Sequence, residues 1–291
     1  MKQGKEVENP ESRFFTVLLA AAKLPGVRIH REAYLRTALA RHCTEEEIRR
    51  AIEETPAAAG IAIDVLEKVA NDSIRYETAK VSALSAAAGI PGILALPATV
   101  PADLAQYVGH MLRIAQKLAY LYSWPELFSD EGDDVDDATM GVLTLFFGVM
   151  FGTQSANAAV GKVAGMMSKQ VAKKLPQKAL TKGVVYPIVK KVAAYIGVKM
   201  TKDSFAKAVS KAIPLVGAAV SGGLTFATYL PMAKRLKKHL AGLPLADPSH
   251  RVMEEEVVDG EVVEEYESFA TAHAGLHGAD TAAVKLEEPG S

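Results

Sequence analysis

The chain has one cysteine, Cys43, one tryptophan, and only 7% aromatic residues over 291 positions. A lone cysteine excludes an intramolecular disulfide and any cysteine-built metal cage. The patterns G-x-x-x-x-G-K-[ST], G-x-S-x-G and H-E-x-x-H do not occur. Their absence removes the phosphate-loop, nucleophile-elbow and zincin signatures. The acidic stretch from Asp130 to Asp137 lacks the Gly and Glu that positions six and twelve of an EF-hand loop require, so it supports weak cation attraction only. His273 and His277 have the four-residue spacing of helical metal ligands. They sit in a small, polar terminal stretch, and neither a metal nor a cofactor is expected. Cys43 directly follows His42, and adjacent residues point apart on a helix, so a Cys–His pair is not expected.

What remains is globular. Hydrophobic residues make up 49% and charged residues 23%, which excludes wholesale disorder. The net charge of -1 conceals strong segregation. Residues 1–125 are near neutral at +1, and 126–159 carry no base and seven acids. Residues 160–240 carry 16 bases against one acid, Asp203, and 241–291 carry 12 acids against two bases. A cationic block between two anionic segments attracts phospholipid headgroups, nucleic acid or the chain's own acids. Because the block is built almost wholly of Lys and offers few aromatic rings for stacking, nucleic acid is disfavoured. Lys169, Lys173, Lys174, Lys178, Lys182, Lys190 and Lys191, with Lys234, Arg235, Lys237 and Lys238, are the candidates for binding anionic lipid or a membrane-protein partner. Each such lysine is worth about 1 kcal/mol near an anionic leaflet.

Alanine is abundant, alternating β-branched runs are nearly absent, and the periodicity is helical. Phe14, Val17, Leu18 and Ala21 form one apolar stripe, stopped by Pro25-Gly26. Thr44-Glu45-Glu46-Glu47 is a capping box. Thr55-Pro56 reads as the start of a long helix running to about Ala88. A further helix is predicted from Ala102 to Tyr122, then a turn at Ser123-Trp124-Pro125 leading into a new helical start. Asp136 or Asp137 is placed to cap the helix beyond the acidic loop.

Residues 81–102, 138–161 and 212–233 contain no Asp, Glu, Lys or Arg. Each is long enough to span a bilayer as a helix. Pro91, Pro97, Pro101, Pro214 and Pro231 interrupt the first and last, and small residues prevail throughout. The runs therefore read as buried core hairpins, with insertion into a membrane as the alternative. Gly148 and Gly152, then Gly161 and Gly165, have the spacing of close helix packing. The expected fold class is all-α: a multi-helix bundle over residues 1–243 with long antiparallel helices and Gly/Pro-interrupted apolar hairpins. An acidic, mostly disordered tail over 244–291 follows, with a short hairpin signal around Asp259-Gly260 within 252–266.

Four residues stand out as a buried polar site: Glu77, Lys80, Asp103 and His110. Asp103 follows 22 uncharged positions at a helix start, where the helix dipole favours an acid. Glu77 and Lys80, three apart, are spaced for an intrahelical ion pair. His110, Arg113 and Lys117 share one helical face, which either binds phosphate or is simply solvated.

From about Leu24 to Leu240 the chain resembles the EcsC protein family. The stretches that carry the likeness are Leu24-Pro25-Gly26-Val27-Arg28-Ile29, Glu77-Thr78-Ala79-Lys80-Val81-Ser82-Ala83 and Ala88-Gly89-Ile90-Pro91-Gly92. They continue with Pro101-Ala102-Asp103-Leu104, Lys117-Leu118-Ala119-Tyr120-Leu121-Tyr122 and Lys211-Ala212-Ile213-Pro214-Leu215-Val216-Gly217. The resemblance implies a bacterial, mostly helical protein in a membrane-linked context, since the family's namesake is encoded with an ABC-type transporter. It implies no established activity. The polar, acid-containing start from Met1 to Glu6 and the single cysteine point to the cytoplasm, with attachment at the inner face of the cell membrane. The leading expectation is a non-enzymatic, peripherally membrane-associated accessory protein. Alternatives are a soluble interaction scaffold whose acidic tail regulates the basic face, and a hydrolase using Asp103 and Glu77 between helices.

Overall fold

A computed structural model describes residues 9–88, 102–128, 135–170, 174–202 and 214–247. Among them are ten α-helices and no strand. The helices are α1 (Pro10–Ala22), α2 (Arg31–Leu39), α3 (Glu45–Glu53), α4 (Ile63–Ala88) and α5 (Ala102–Leu121). They continue with α6 (Asp137–Met150), α7 (Gln154–Gln170), α8 (Gln177–Thr181), α9 (Tyr186–Lys202) and α10 (Pro214–Ala241). A 3-10 turn, Pro244–Ala246, follows α10. The all-α expectation is met. The uncharged run 81–102 lies partly outside the described residues, as do Lys173, the loop 129–134, the hairpin signal at 252–266 and His273 and His277.

Local signals start and stop these helices. Asn9 caps α1, with Pro10 at its first position. Phe14, Val17, Leu18 and Ala21 are all buried, as their spacing predicts. Before α3, Thr44 Oγ1 accepts from the Glu47 N–H at 3.3 Å and Glu47 Oε2 accepts from the Thr44 N–H at 2.7 Å. Both halves of the capping box are thus present. Thr44→Ala is expected to cost about 1 kcal/mol, read as a lower urea midpoint with an unchanged slope. Arg31 closes the other end of α3, donating to the carbonyls of Ala51 (2.9 Å), Ile52 (2.8 Å) and Glu54 (3.2 Å).

Two boundaries differ from the sequence expectation. Thr55-Pro56 opens a turn rather than α4: Ala59 N–H donates to the Thr55 carbonyl, and Gly60 takes a φ of +79°. That left-handed step ends the turn, and α4 begins at Ile63. After α5, Ser123 takes a φ of +68° and the chain stays irregular through Phe128, with no helix before α6 among the described residues. Asp136 caps α6, its side chain accepting from Ala138 and Thr139.

The centre of the bundle is α6. Every residue from Ala138 to Met150 is buried, and the helix packs on α7, α8, α9 and α10. The uncharged run 138–161 is therefore core over its α6 portion. No helix among the described residues is long and apolar enough to cross a membrane. α4 pairs with α10 and α5, and α1 bridges α5 and α9. These pairings put two different sets of charges in two places: one inside, between α4 and α5, and one outside, on α8, α9 and α10.

Candidate functional site

The inner set centres on Glu77, which is 0% exposed. Its position on α4 points it at α5, where three basic side chains one or two turns apart converge on its carboxylate. Lys117 Nζ lies 2.6 Å from Oε1, Arg113 Nε and Nη2 lie 3.1–3.2 Å away, and His110 Nδ1 lies 3.3 Å from Oε2. Arg113 also donates through Nη1 to the carbonyl of Gly26. Gly26 itself needs the φ of +71° that glycine tolerates without a Cβ penalty. Gln116 completes the join: its Nε2 donates to the Val27 carbonyl and its Oε1 accepts from the Ile29 N–H. The α1–α2 turn, α4 and α5 are tied at one point. The segments around Gly26, Glu77 and Lys117 meet there.

One carboxylate facing two permanent cations leaves positive charge over. Lys117 places the excess against aromatic faces, with Nζ 5.2 Å from the Tyr76 ring and 5.6 Å from the Tyr34 ring. The Tyr34 hydroxyl is in turn held 2.7 Å from Ser73 Oγ. Burial alone would raise the Glu77 carboxyl. His110, Arg113 and Lys117 outweigh it and hold the group far below the ordinary carboxylate range. A carboxylate held so firmly ionised, and fully enclosed, is a poor general base. Its geometry is that of a clamp.

This differs from the sequence expectation in two ways, and a third expectation lies outside the described side chains. Glu77 pairs across to α5 and not along α4 with Lys80, which is exposed and lies 5.4 Å over the Tyr76 ring. His110 and Lys117 are buried and Arg113 is partly buried, and all three are turned onto Glu77 instead of presenting an open face. Asp103 sits on α5 two turns before His110, and its side chain lies outside the described residues. Glu77 and His110 are brought together. Arg113 and Lys117, the partners that complete the cluster, were legible only as a shared face.

The outer set divides. Lys174, Lys178, Lys182, Lys190 and Lys191 are exposed around α8 and α9, while the Lys169 side chain lies outside the described residues. On α9, Val189, Val192, Ala193 and Ile196 turn inward. Lys190, Lys191, Tyr195, Val198 and Lys199 turn outward. Val184, Tyr186, Tyr195 and Val198 are 38–45% exposed, a concentration of the large apolar side chains found at the surface. Lysines pack on the rings: Lys190 Nζ lies 5.8 Å from the Tyr186 centroid and Lys199 Nζ 5.9 Å from that of Tyr195. Among these lysines, Lys190 has an acid in range, Glu11 at 3.7 Å.

Lys234, Lys237 and Lys238 belong to a separate surface, on α10 against α4. Arg235 leaves that surface: its guanidinium donates to the Met150 carbonyl at the end of α6 and packs on Gly152, whose φ is +81°. It closes the α6 C-terminus while the residue stays exposed.

No family model, curated protein or solved structure matches the chain. Among the described residues, no group of three or more His, Cys, Asp or Glu side chains is arranged to hold a metal ion.

Proposed function

We propose that this protein is a non-enzymatic helical accessory protein of EcsC type. It attaches to the cytoplasmic face of an anionic membrane through α8 and α9. The observation that carries the reading is the outward face of α9, where lysines alternate with tyrosine and valine. Lysine stems and tyrosine rings are amphipathic and sit well at a headgroup boundary. Valines beside them add apolar area that can enter the interface. The absence of acids from residues 160–202 leaves the cationic potential uncancelled along the segment. The firmly paired Glu77 supports a structural rather than a catalytic role for the buried cluster.

The test is co-sedimentation of the full chain with neutral and anionic vesicles across a salt series. The expected result is binding to anionic vesicles only, weakening as salt rises through the range where the Debye length shortens to about 8 Å. The variant K182E/K191E/K199E, changed only at exposed positions, is expected to bind at least tenfold more weakly. Tyr195→Ser is expected to lower the fraction that resists salt. Equal binding to neutral vesicles, or none to either, overturns the proposal.

A further inference from the structure

Residues 160–202 hold ten lysines, and no acid stands among them. Of these, Lys174, Lys178, Lys182, Lys190, Lys191 and Lys199 are exposed. The acids that could answer this charge come later in the chain. Residues 253–267 hold eight acids and no base. They lie outside the described residues, but their charge and their covalent attachment are definite.

The attachment is short. After α10, the 3-10 turn Pro244–Ala246 packs on α7, and α7 packs on α9. Leu243 lies over Gly161 of α7. Five residues earlier on the same helix, Ala156 joins Val192 of α9 in crowding Gly148. The described chain thus ends at Asp247, one helix away from α9. Six residues lead from Asp247 to Met253, a reach of about 20 Å at most. Such a tether keeps the acids available to the lysines at any protein concentration.

We propose that the acids of residues 253–267 act as an electrostatic brake on membrane attachment. The inference rests on the α8–α9 reading and names its regulation. Fixed negative charge tethered to a cationic face lowers the potential that the face presents to an anionic leaflet. The leaflet must then carry more charge before it captures the lysines. The same logic releases polybasic segments from membranes when negative charge is added to them. Eight acids come close to balancing ten lysines. Attachment is therefore set by the membrane: a weakly charged surface leaves the protein free, and a strongly charged one holds it.

Co-sedimentation of full-length chains with phosphatidylcholine vesicles carrying increasing phosphatidylserine tests the brake. The variant E254Q/E255Q/E256Q/E264Q/E265Q is expected to reach half-binding at a lower phosphatidylserine fraction. Its affinity at low salt is expected to rise about tenfold. The gain is expected to shrink as salt rises, because screening weakens the brake. E254D/E255D/E256D/E264D/E265D keeps the charge and is expected to bind as the parent does. Adding K182E/K191E/K199E to the glutamine variant is expected to abolish the gain. If parent and glutamine variant bind anionic vesicles equally, the brake is overturned and the membrane reading stands. A gain that the aspartate variant shares, that salt leaves unchanged, or that survives loss of the α9 charge overturns the brake in the same way. Binding by neither chain overturns the membrane reading, and the brake with it.

Discussion

Glu77→Gln is expected to lower the unfolding free energy by about 3–5 kcal/mol at neutral pH, the usual cost of removing one member of a buried ion pair. In a chain of this size that is a drop in Tm on the order of 10 °C. The cost comes from what stays behind. Arg113 and Lys117 are 17% and 10% exposed at their side chains, and Glu77 is the one acid either of them contacts among the described residues. Without the carboxylate they keep a large desolvation penalty and lose its offset. Removing a cation as well tests the point: Glu77→Gln combined with Lys117→Met is expected to recover part of the loss. A double-mutant cycle between the two positions then gives the coupling. Purely additive effects would mean that the cluster is not held by charge.

The same group makes stability depend on acid. Its carboxyl is held below its ordinary value of 4.5 in the fold. As pH falls past that value, the unfolded chain takes up a proton that the folded chain does not, so the folded state loses ground. The stabilisation is complete above the ordinary carboxylate range and fades as pH falls through the depressed value. The gap between the parent and Glu77→Gln is therefore expected to be constant from about pH 6 to 8 and to narrow below about pH 4.5. Chemical denaturation at several pH values measures it. A gap that widens on acidification would reverse the sign of the argument.

How much of this was legible follows from the range of each interaction. The Thr44 box, the Asp136 cap and the Phe14 to Ala21 stripe are encoded within a few residues, and all appear where the sequence places them. Gly60 redirects the chain by its backbone, which a glycine permits but does not announce. The partners of Glu77 lie 33–40 residues away along the chain. Local spacing favours Lys80 and cannot see α5. A usable signal did exist. From Leu104 to Leu121 the only charged residues are Arg113 and Lys117, on the same face as His110. Two cations on so apolar a helix call for an acid from a neighbour. Arg235 illustrates the converse. In sequence it belongs to the lysine block, yet its planar fork suits a backbone carbonyl at a helix end, and the fold uses it there.

Gly148→Ala is expected to cost about 1–3 kcal/mol, while Gly165→Ala, in a position of the same motif type, is expected to add about 0.5–1 kcal/mol of stability. Gly148 and Gly152 share a four-residue spacing with Gly161 and Gly165, but their surroundings differ. A Cβ at Gly148 would stand 2.5 Å from the Ala156 Cβ and 2.7 Å from Val192 Cγ1, where α6, α7 and α9 meet. Neither neighbour has a flexible end that could swing aside, so a backbone must shift in an interior already closely packed. Gly152 has a different task, turning the chain with a positive φ after α6. A Cβ at Gly165 would meet nothing within 4 Å. There alanine adds helix propensity and reduces the freedom of the unfolded chain at no steric cost. Urea denaturation of both variants decides whether the spacing or the local contact matters. Equal effects at the two positions would mean that the small-residue pattern acts as a whole. Opposite signs, the expected result, would place the close approach at Gly148.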